Sequence, residues 1–270
     1  MTTQTMCDSL MIDRIRRSLG TETVGAHIYL FTAVASTNAV LRDLARGGAA
    51  EGTVVIADGQ TAGRGRAGRP WFSPPGVNLY VSTLLRPAIA PSAVPVFAFI
   101  ASLALTHALA AESVKAAIKW PNDVMVDGRK IGGSLIEYAV SGSRLDYVIL
   151  GTGVNLNVGV DDLRAALSGE AEGAITLRAA AGRDIDRNVF AARLLNEIER
   201  WYATYRAEGP AAILSAWRER DALCGRKITV GDGARGFAAL ACGIDDDGCL
   251  VAEAQGRRER VLSGAIRLAE

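Results

Sequence analysis

The stretch Gly63-Arg64-Gly65-Arg66-Ala67-Gly68-Arg69 places three arginines and three glycines in seven positions, with no acidic residue among them. Arginine carries a fixed charge and planar donors that suit phosphate and carboxylate oxygens. Glycine lets the backbone approach a ligand closely. The stretch therefore favours a loop that closes over a negatively charged small molecule. The same composition also fits a solvated basic loop or an Arg-Gly segment that binds nucleic acid loosely.

A second polar motif lies at the end of a predicted strand. The sequence Lys119-Trp120-Pro121-Asn122-Asp123 follows the short apolar stretch 114–118. Proline and the Asn-Asp pair are turn formers, so the pattern predicts a strand that ends in a turn. Such a turn leaves Lys119 at the rim of a sheet.

Two glycine-containing motifs accompany further apolar strands. Residues 130–137 combine a second lysine with a glycine pair and an apolar strand, and residues 151–155 close an apolar strand at 147–150. Upstream, Ser36 and Thr37 precede a helical pattern in which either would serve as the N-cap.

Taken in order, these segments resemble the biotin protein ligase family. The resemblance runs from about residue 32 to the C-terminus and is specific, because several motifs fall in one order with compatible spacing. The matching segments are 36–38, 60–66, 71–74, 78–80, 119–123, 130–133 and 151–155.

The composition agrees with a globular enzyme. The chain has 270 residues, 49% of them hydrophobic, which is enough for a substantial core. A net charge of +1 gives no global attraction to DNA or to a membrane. The four cysteines have no Cys-x-x-Cys spacing, so we expect a reducing, cytoplasmic compartment and no protein-ligated metal.

The uncharged run 88–111 is rich in alanine and predicts a buried core helix, not a membrane span.

The pattern of elements changes at about residue 223. Before it, apolar strands at 54–57, 79–85, 134–140 and 147–150 accompany helices around 97–110, 187–207 and 211–222. After it, short strands alternate with turns at 231–233, 245–248 and 255–256, a pattern typical of a small β-barrel.

The resemblance implies an α+β fold, in which a mixed β-sheet catalytic domain akin to class II synthetase cores precedes an SH3-like C-terminal barrel. The expected domains are an N-terminal helical extension (1–27), a biotin- and ATP-binding catalytic domain (28–222) and the barrel (223–270).

The N-terminal segment bears on function. Its single helical pattern, 10–19, begins near Asp8 or Ser9 and ends at Gly20. One helix cannot form a helix-turn-helix with a wing. The expected type is therefore monofunctional, without an N-terminal DNA-binding domain and without specific nucleic-acid binding.

The resemblance implies a two-step reaction. The carboxylate of biotin attacks the α-phosphorus of ATP to give biotinyl-5'-AMP and pyrophosphate, and a lysine of a biotin carboxyl carrier protein or domain then attacks the anhydride. Both steps depend more on neutralising negative charge and excluding water from the site than on a nucleophilic protein side chain. Mg²⁺ is expected as the cofactor, because pyrophosphate is a poor leaving group unless its charge is neutralised.

The resemblance also implies roles for individual residues. Lys119 and Arg66 match catalytic positions. The biotin-binding positions are Ser36, Thr37, Asn38, Gln60, Gly63, Arg64, Arg66, Lys119, Gly132 and Gly133. The nucleotide-binding positions are Arg64, Arg66, Arg69, Trp71, Lys130 and Asn155.

Two residues depart from the family pattern. Ser134 occupies a position that usually carries a β-branched aliphatic residue, which implies a more polar wall of the biotin pocket. Ala174 occupies a position where some members carry a large aromatic residue near adenine, which puts adenine stacking in doubt.

Two other functions fit parts of the sequence. A lipoate or octanoate ligase would share the fold and the adenylate chemistry, but a dithiolane ring would leave the polar residues Ser36, Thr37 and Gln60 idle. A nucleic-acid module would use Arg64–Arg69 as a basic patch and predicts further basic clustering. The segment 223–270 instead balances seven basic residues with seven acidic ones.

Overall fold

The structure is a computed structural model that describes residues 9–167, 173–231 and 236–269. The described helices are α1 (Ile12–Arg17), α2 (Thr37–Arg46), α3 (Val96–Ala110), α4 (Val160–Leu167), α5 (Leu177–Ala181), α6 (Arg187–Glu208) and α7 (Pro210–Arg218). The described strands are β1 (Ile28–Val34), β2 (Val54–Gln60), β3 (Leu79–Leu85), β4 (Ala117–Lys119), β5 (Asp123–Val126), β6 (Arg129–Ser141), β7 (Arg144–Val154), β8 (Lys227–Val230), β9 (Phe237–Ile244), β10 (Leu250–Ala254), β11 (Arg257–Val261) and β12 (Ile266–Leu268).

The larger sheet is mixed, as the resemblance predicts. Its strand order is β1-β2-β3-β7-β6-β5-β4, and β1 pairs parallel to β2 while the other neighbours pair antiparallel. Helices α3 and α6 pack together over one face and bury the main core. Helix α2 covers part of the opposite face, where Leu41 and Ala45 pack against Val55, Leu84 and Ile149.

The uncharged run predicted as a core helix forms α3. Residues 91–110 are long and apolar enough to cross a membrane, yet most of them are buried inside the protein. Polar groups within the helix bond to its own backbone, since Ser102 donates to the carbonyl of Ala98 and Thr106 to that of Leu103. The burial confirms the core-helix prediction.

A second sheet of five antiparallel strands follows α7, in the order β11-β10-β9-β8-β12. Its β9–β10 turn is held by Asp245, whose carboxylate accepts from the backbone of Asp247 and Cys249. Gln255 and Gly256 both have positive φ, as the predicted turn requires. Closure into an SH3-like barrel stays a prediction.

Several predicted boundaries differ from the structure. The helix expected at 211–222 ends at Arg218, because the chain then turns to run beside β4, where the backbone of Ile118 donates to Arg220 and accepts from Ala222. The strand expected at 114–118 is β4, which includes Lys119 at its end and so keeps that lysine at the sheet rim. Strand β1 has no clear signal in the sequence. The possible helix cap Asp8, Cys7 and part of the 231–233 turn lie outside the described residues.

The two sheets and the N-terminal helix are tied to one another. The indole nitrogen of Trp120, in the β4–β5 turn, donates to the carbonyl of Gly248 in the β9–β10 turn at 2.9 Å. Helix α1 packs on α6, where Arg14 pairs with Asp186 at 2.6 Å.

Candidate active site

A row of side chains crosses the α2 face of the mixed sheet. The strand registers pair Tyr80 with Gly153, Gly153 with Gly133, Gly133 with Asp123, and Asp123 with Lys119. Directly paired residues point to the same side of a sheet. Tyr80 and Lys119 therefore stand at the two ends of a groove whose floor is glycine.

The glycines of this floor are required by close packing. A Cβ atom at Gly153 would lie 2.6 Å from the indole nitrogen of Trp71, and one at Gly151 would collide with the side-chain amide of Asn38. Gly132 differs, because its Cβ would lie 2.7 Å from Leu105 of α3. Of the predicted glycine pair, only Gly133 thus belongs to the groove face.

A polar network closes one end of the groove. The side-chain oxygen of Gln60 accepts from the backbone of Thr37 at 2.9 Å, and its amide nitrogen donates to Ser73 at 3.1 Å. The hydroxyl of Ser82 lies 2.8 Å from that of Thr37 and 2.6 Å from the amide oxygen of Asn38. Thr37, Asn38, Ser73 and Ser82 are buried, so the network fixes their orientations.

Ser36 sits at the N-cap position of α2, without a side-chain capping bond. Its hydroxyl is therefore not committed to the helix, in contrast to the capping role that the pattern alone suggests. The α2 N-terminus brings Ser36, Thr37 and Asn38 to the groove together.

The Arg-Gly stretch forms a small hairpin beside this network. Backbone bonds join Gln60 to Ser73, Gly63 to Trp71, and Gly65 to Arg69, at 3.2, 2.9 and 2.7 Å. The tip turns at Ala67 and Gly68, which both have positive φ. Gly63 is buried where a Cβ would lie 2.5 Å from Ser73 and 2.9 Å from the Gln60 amide nitrogen, so glycine is needed at the hairpin base.

The three hairpin arginines differ in environment. Arg66 is half-buried, and its guanidinium donates to the side chain of Asn122 at 3.5 Å. Burial lowers the pKa of Arg66, and nearby Arg69 adds to this, while Asp123 opposes it. Arg64 and Arg69 are exposed. Arg66 is thus the arginine that the fold directs into the groove.

Two lysines flank Asp123. The ammonium of Lys130 pairs with the Asp123 carboxylate at 2.5 Å and lies 5.2 Å from the centre of the Trp71 ring. Burial lowers the pKa of Lys119, Asp123 opposes that shift, and Lys130, Arg69 and Arg267 reinforce it. The site therefore concentrates positive charge around a single carboxylate.

Lys130 and Asn155, two residues that the sequence assigns to nucleotide binding, lie where β6 begins and β7 ends. The backbone of Asn155 donates to Ile131 at 2.8 Å, and its side chain donates to Ile175 at 3.4 Å. A backbone bridge joins Lys130 to Ala174. The segment around Ala174 thus runs beside Lys130 and Asn155.

Ser134 does not line the groove. It pairs with Thr152 on the side of the sheet that faces the core, and both hydroxyls are buried without a hydrogen-bond partner among the described residues. The expectation of a more polar biotin pocket at this position is therefore not supported by the register.

Ser73 and Ser82 are members of the polar network to which the sequence assigned no role. Ser82 had one signal, since it and Thr83 are small polar residues in the middle of a mostly apolar strand. Within the described ranges, no group of three or more His, Cys, Asp or Glu side chains is arranged to hold a metal ion.

Comparisons with known proteins identify the family of this chain. Residues 30–155 match the "Biotin/lipoate A/B protein ligase family". The chain is 36% identical over 234 residues to the biotin–[acetyl-CoA-carboxylase] ligase of Paracoccus denitrificans, covering 86% of this chain and 96% of that one. It is 34% identical over 255 residues to the bifunctional ligase/repressor BirA of Bacillus subtilis, covering 94% and 78%.

A solved structure with a similar fold is the biotin protein ligase of Aquifex aeolicus in complex with biotin and ATP. It has a TM-score of 0.73 and 25% identity, covering 90% of this chain and 99% of that chain. The fold and groove define an α+β enzyme of the adenylate-forming ligase type. The chain belongs to the biotin protein ligase family.

Proposed function

We propose that this protein joins biotin to a specific lysine of a biotin carboxyl carrier protein or domain, using ATP and passing through biotinyl-5'-AMP. The observation that carries the proposal is the groove, where a polar network at one end and a cluster of cations at the other lie over a glycine floor. This arrangement suits a ligand with a polar head and an anionic tail. Family membership supports the same reaction.

The polar end of the groove would bind the ureido ring of biotin. A ureido group has two donors and one acceptor, and in a buried pocket each requires a partner. Ser36, Thr37 and Gln60 would supply these partners, with Asn38 beside them and Gly63 leaving room at the hairpin base. Gly133 would let the ring or its chain lie against β6, and Gly132 would contribute through the strand backbone alone.

The cationic end would bind the carboxylate and the α-phosphate. Arg66 offers a bidentate donor set directed into the groove, and Arg64 would assist from the exposed side of the hairpin. Lys119 would stabilise the negative charge that builds up in both steps. Lys130 stands closer to the centre of the groove, paired with Asp123, and we propose that it shares this role.

The remaining nucleotide contacts would come from the end of the groove where β6 begins and β7 ends. Arg69, Trp71 and Asn155 would contact the phosphates and the ribose side, while Ala174 leaves adenine without an aromatic neighbour. Mg²⁺ would arrive with ATP, coordinated mainly by phosphate oxygens and water. Asn155 is the side chain we place nearest to the ion, which would neutralise the pyrophosphate charge.

The wider organisation follows the same proposal. We place a catalytic domain at 28–222 after an N-terminal extension at 1–27, and an SH3-like barrel at 223–270. The five-stranded antiparallel sheet that begins at Lys227 supports the last of these. The free cysteines among the described residues, Cys224, Cys242 and Cys249, fit a reducing cytoplasm.

A lipoate or octanoate ligase is not favoured. Neither acid has a polar head that could use the network of Thr37, Gln60 and Ser73. Such a ligand would therefore gain no hydrogen bonds from these groups, whereas the ureido ring of biotin can.

The decisive experiment is substrate-dependent adenylate formation. Purified protein should release pyrophosphate only when biotin, ATP and Mg²⁺ are all present, and mass spectrometry should detect biotinyl-5'-AMP. Lipoate and octanoate serve as matched acids. The proposal is wrong if either of them supports release while biotin does not.

A further inference from the structure

The hydroxyl of Ser82, on β3, contacts two side chains of α2. Its oxygen lies 2.6 Å from the amide oxygen of Asn38 and 2.8 Å from the hydroxyl of Thr37. Ser82 is fully buried, so a ligand in the groove cannot touch it. Ser82 can therefore act on a ligand only through the residues that it contacts.

The direction of each hydrogen bond in this group follows from counting hydrogens. The amide nitrogen of Asn38 donates to the carbonyl of Leu135 at 3.3 Å, which leaves its oxygen directed at Ser82. An amide oxygen can only accept, and a serine hydroxyl has one hydrogen, so Ser82 donates that hydrogen to Asn38. The hydrogen between the two hydroxyls must then come from Thr37.

The same count fixes what Thr37 can offer to a ligand. Besides Ser82, its hydroxyl contacts the side-chain oxygen of Gln60 at 3.3 Å, and that oxygen also only accepts. The single hydrogen of Thr37 is therefore committed inside the protein, toward the shorter contact with Ser82. The hydroxyl of Thr37 keeps a lone pair as an acceptor and has no hydrogen left to donate.

Gln60 complements this acceptor with a donor. Its amide nitrogen donates one hydrogen to Ser73 at 3.1 Å, and Ser73 donates in turn to the carbonyl of Trp71 at 2.9 Å. A primary amide has two N–H groups, so one N–H of Gln60 has no partner among the described residues. Thr37 and Gln60 thus present one acceptor and one donor, and the surrounding bonds hold that polarity fixed.

We propose that Ser82 is a positioning residue for the head of the ligand. It commits the hydrogen of Thr37, so that Thr37 meets the ligand only as an acceptor. The groove then favours a head that carries both an N–H and a carbonyl group. This inference rests on the proposed function and extends it, because the ureido ring of biotin carries both groups.

The test is a double-mutant cycle on the Kd for biotin, measured by calorimetry. Ser82→Ala removes the hydroxyl that receives the hydrogen of Thr37, and Thr37→Val removes the hydroxyl of Thr37 itself. Ser134→Ala is the matched control, because Ser134 is also a buried strand serine but its hydroxyl has no partner among the described residues. Ser82→Cys keeps a weaker hydrogen-bonding group in the same place.

We expect Ser82→Ala and Thr37→Val each to raise the Kd for biotin roughly three- to tenfold, as for one lost hydrogen bond. The double variant should bind biotin within about twofold of Thr37→Val alone, because Ser82 acts through that hydroxyl. In Ser82→Ala, the KM for ATP and the rate of adenylate formation at saturating biotin should stay unchanged. The affinity of Ser82→Cys should fall between those of Ser82→Ala and the wild type.

Two results would overturn the proposal. One is a Ser82→Ala protein that binds biotin as tightly as Ser134→Ala does. The other is a double variant in which the two effects multiply, since Ser82 would then support the site independently of Thr37. If the double variant does not fold, the comparison of Ser82→Ala and Ser82→Cys with Ser134→Ala decides.

The two proposals fail differently. A wild-type protein that forms no biotinyl-5'-AMP contradicts the proposed function. A wild-type protein that forms it, with a Ser82→Ala variant that binds biotin normally, contradicts only the role of Ser82.

Discussion

At the scale of single residues, the chemistry of the site depends on how cations are arranged around Asp123. Its carboxylate pairs with Lys130 and offsets part of the burial that lowers the pKa of Lys119 and of Arg66. One carboxylate cannot neutralise three cations, so the site retains excess positive charge for an anionic substrate. The two lysines therefore need to be separated by experiment.

Replacing Lys119 or Lys130 with alanine should slow adenylate formation more than it weakens biotin binding. The reason is that ammonium charge matters most where negative charge builds up, and loss of one such contact typically costs about 10²–10³ in rate. Single-turnover formation of biotinyl-5'-AMP measures the rate, and titration measures biotin affinity. A variant whose rate stays within a few fold of wild type would show that its lysine is not catalytic.

The lowered pKa of Lys119 adds a pH dependence. A lysine with a lowered pKa loses its charge at a lower pH than an ordinary lysine. The adenylation rate should therefore fall on the alkaline side before pH 10.5, the ordinary lysine value. In Lys119→Arg, whose guanidinium stays charged, that alkaline fall should move to higher pH. An identical pH profile in both proteins would mean that a group other than Lys119 causes the fall in rate at alkaline pH.

At the scale of elements, β7 contributes two glycines, Gly151 and Gly153, to the floor of the groove. The side chain of Asn38 occupies the space that a Cβ at Gly151 would need, and the ring of Trp71 occupies the space that a Cβ at Gly153 would need. These contacts fix how closely α2 and the hairpin approach the sheet. The position of the groove walls is thus set by backbone atoms of β7.

Gly151→Ala should displace Asn38 and raise the Kd for biotin by at least tenfold. The new methyl group would overlap the amide that Ser82 orients. Gly20→Ala is the matched control, because a Cβ there meets nothing within 4 Å. Equal biotin affinity in both variants, measured by calorimetry, would show that Asn38 does not shape the pocket.

The hairpin at residues 63–69 should retain the reactive adenylate. Arg66 is the arginine directed into the groove, so Arg66→Gly removes the charge that would hold the anhydride and adds flexibility. We expect this variant to form biotinyl-5'-AMP but release it, so that biotin labels bystander lysines of serum albumin. Arg66→Lys keeps the charge and should label far less. Retained adenylation with no increase in bystander labelling would argue against a gating role for Arg66.

At the scale of the whole molecule, the two sheets are joined through a turn of each. Trp120 is 4% exposed, and its bond to the carbonyl of Gly248 spans 128 residues of sequence. Gly248 has positive φ, and a Cβ there would lie 2.5 Å from Phe99. The turn therefore fits closely between α3 and the β4–β5 turn.

Trp120→Phe should lower the free energy of unfolding by about 1–3 kcal/mol, because it leaves a buried carbonyl without its donor. Trp217→Phe is the control, since that buried indole nitrogen has no hydrogen-bond partner among the described residues. Urea unfolding of both variants isolates the bond from the loss of ring volume. If the two substitutions cost the same, the bond between the turns contributes nothing.

The sequence by itself determined the residue types at the site and the main elements. The roles predicted for Arg66, Thr37, Gln60 and Lys130 rest on motifs that carry the family resemblance, and α3 could be identified because its apolar run is continuous. These features are encoded within a few neighbouring residues. They were sufficient to indicate the family and the mixed sheet.

Only the tertiary structure decided which side chains share the groove. Strand residues alternate between faces, so the register separates Gly133, on the groove face, from Gly132 and Ser134, on the core face. The contact of Ser82 with Thr37 joins residues that are 45 positions apart. Such contacts depend on packing between distant segments, which no local pattern encodes.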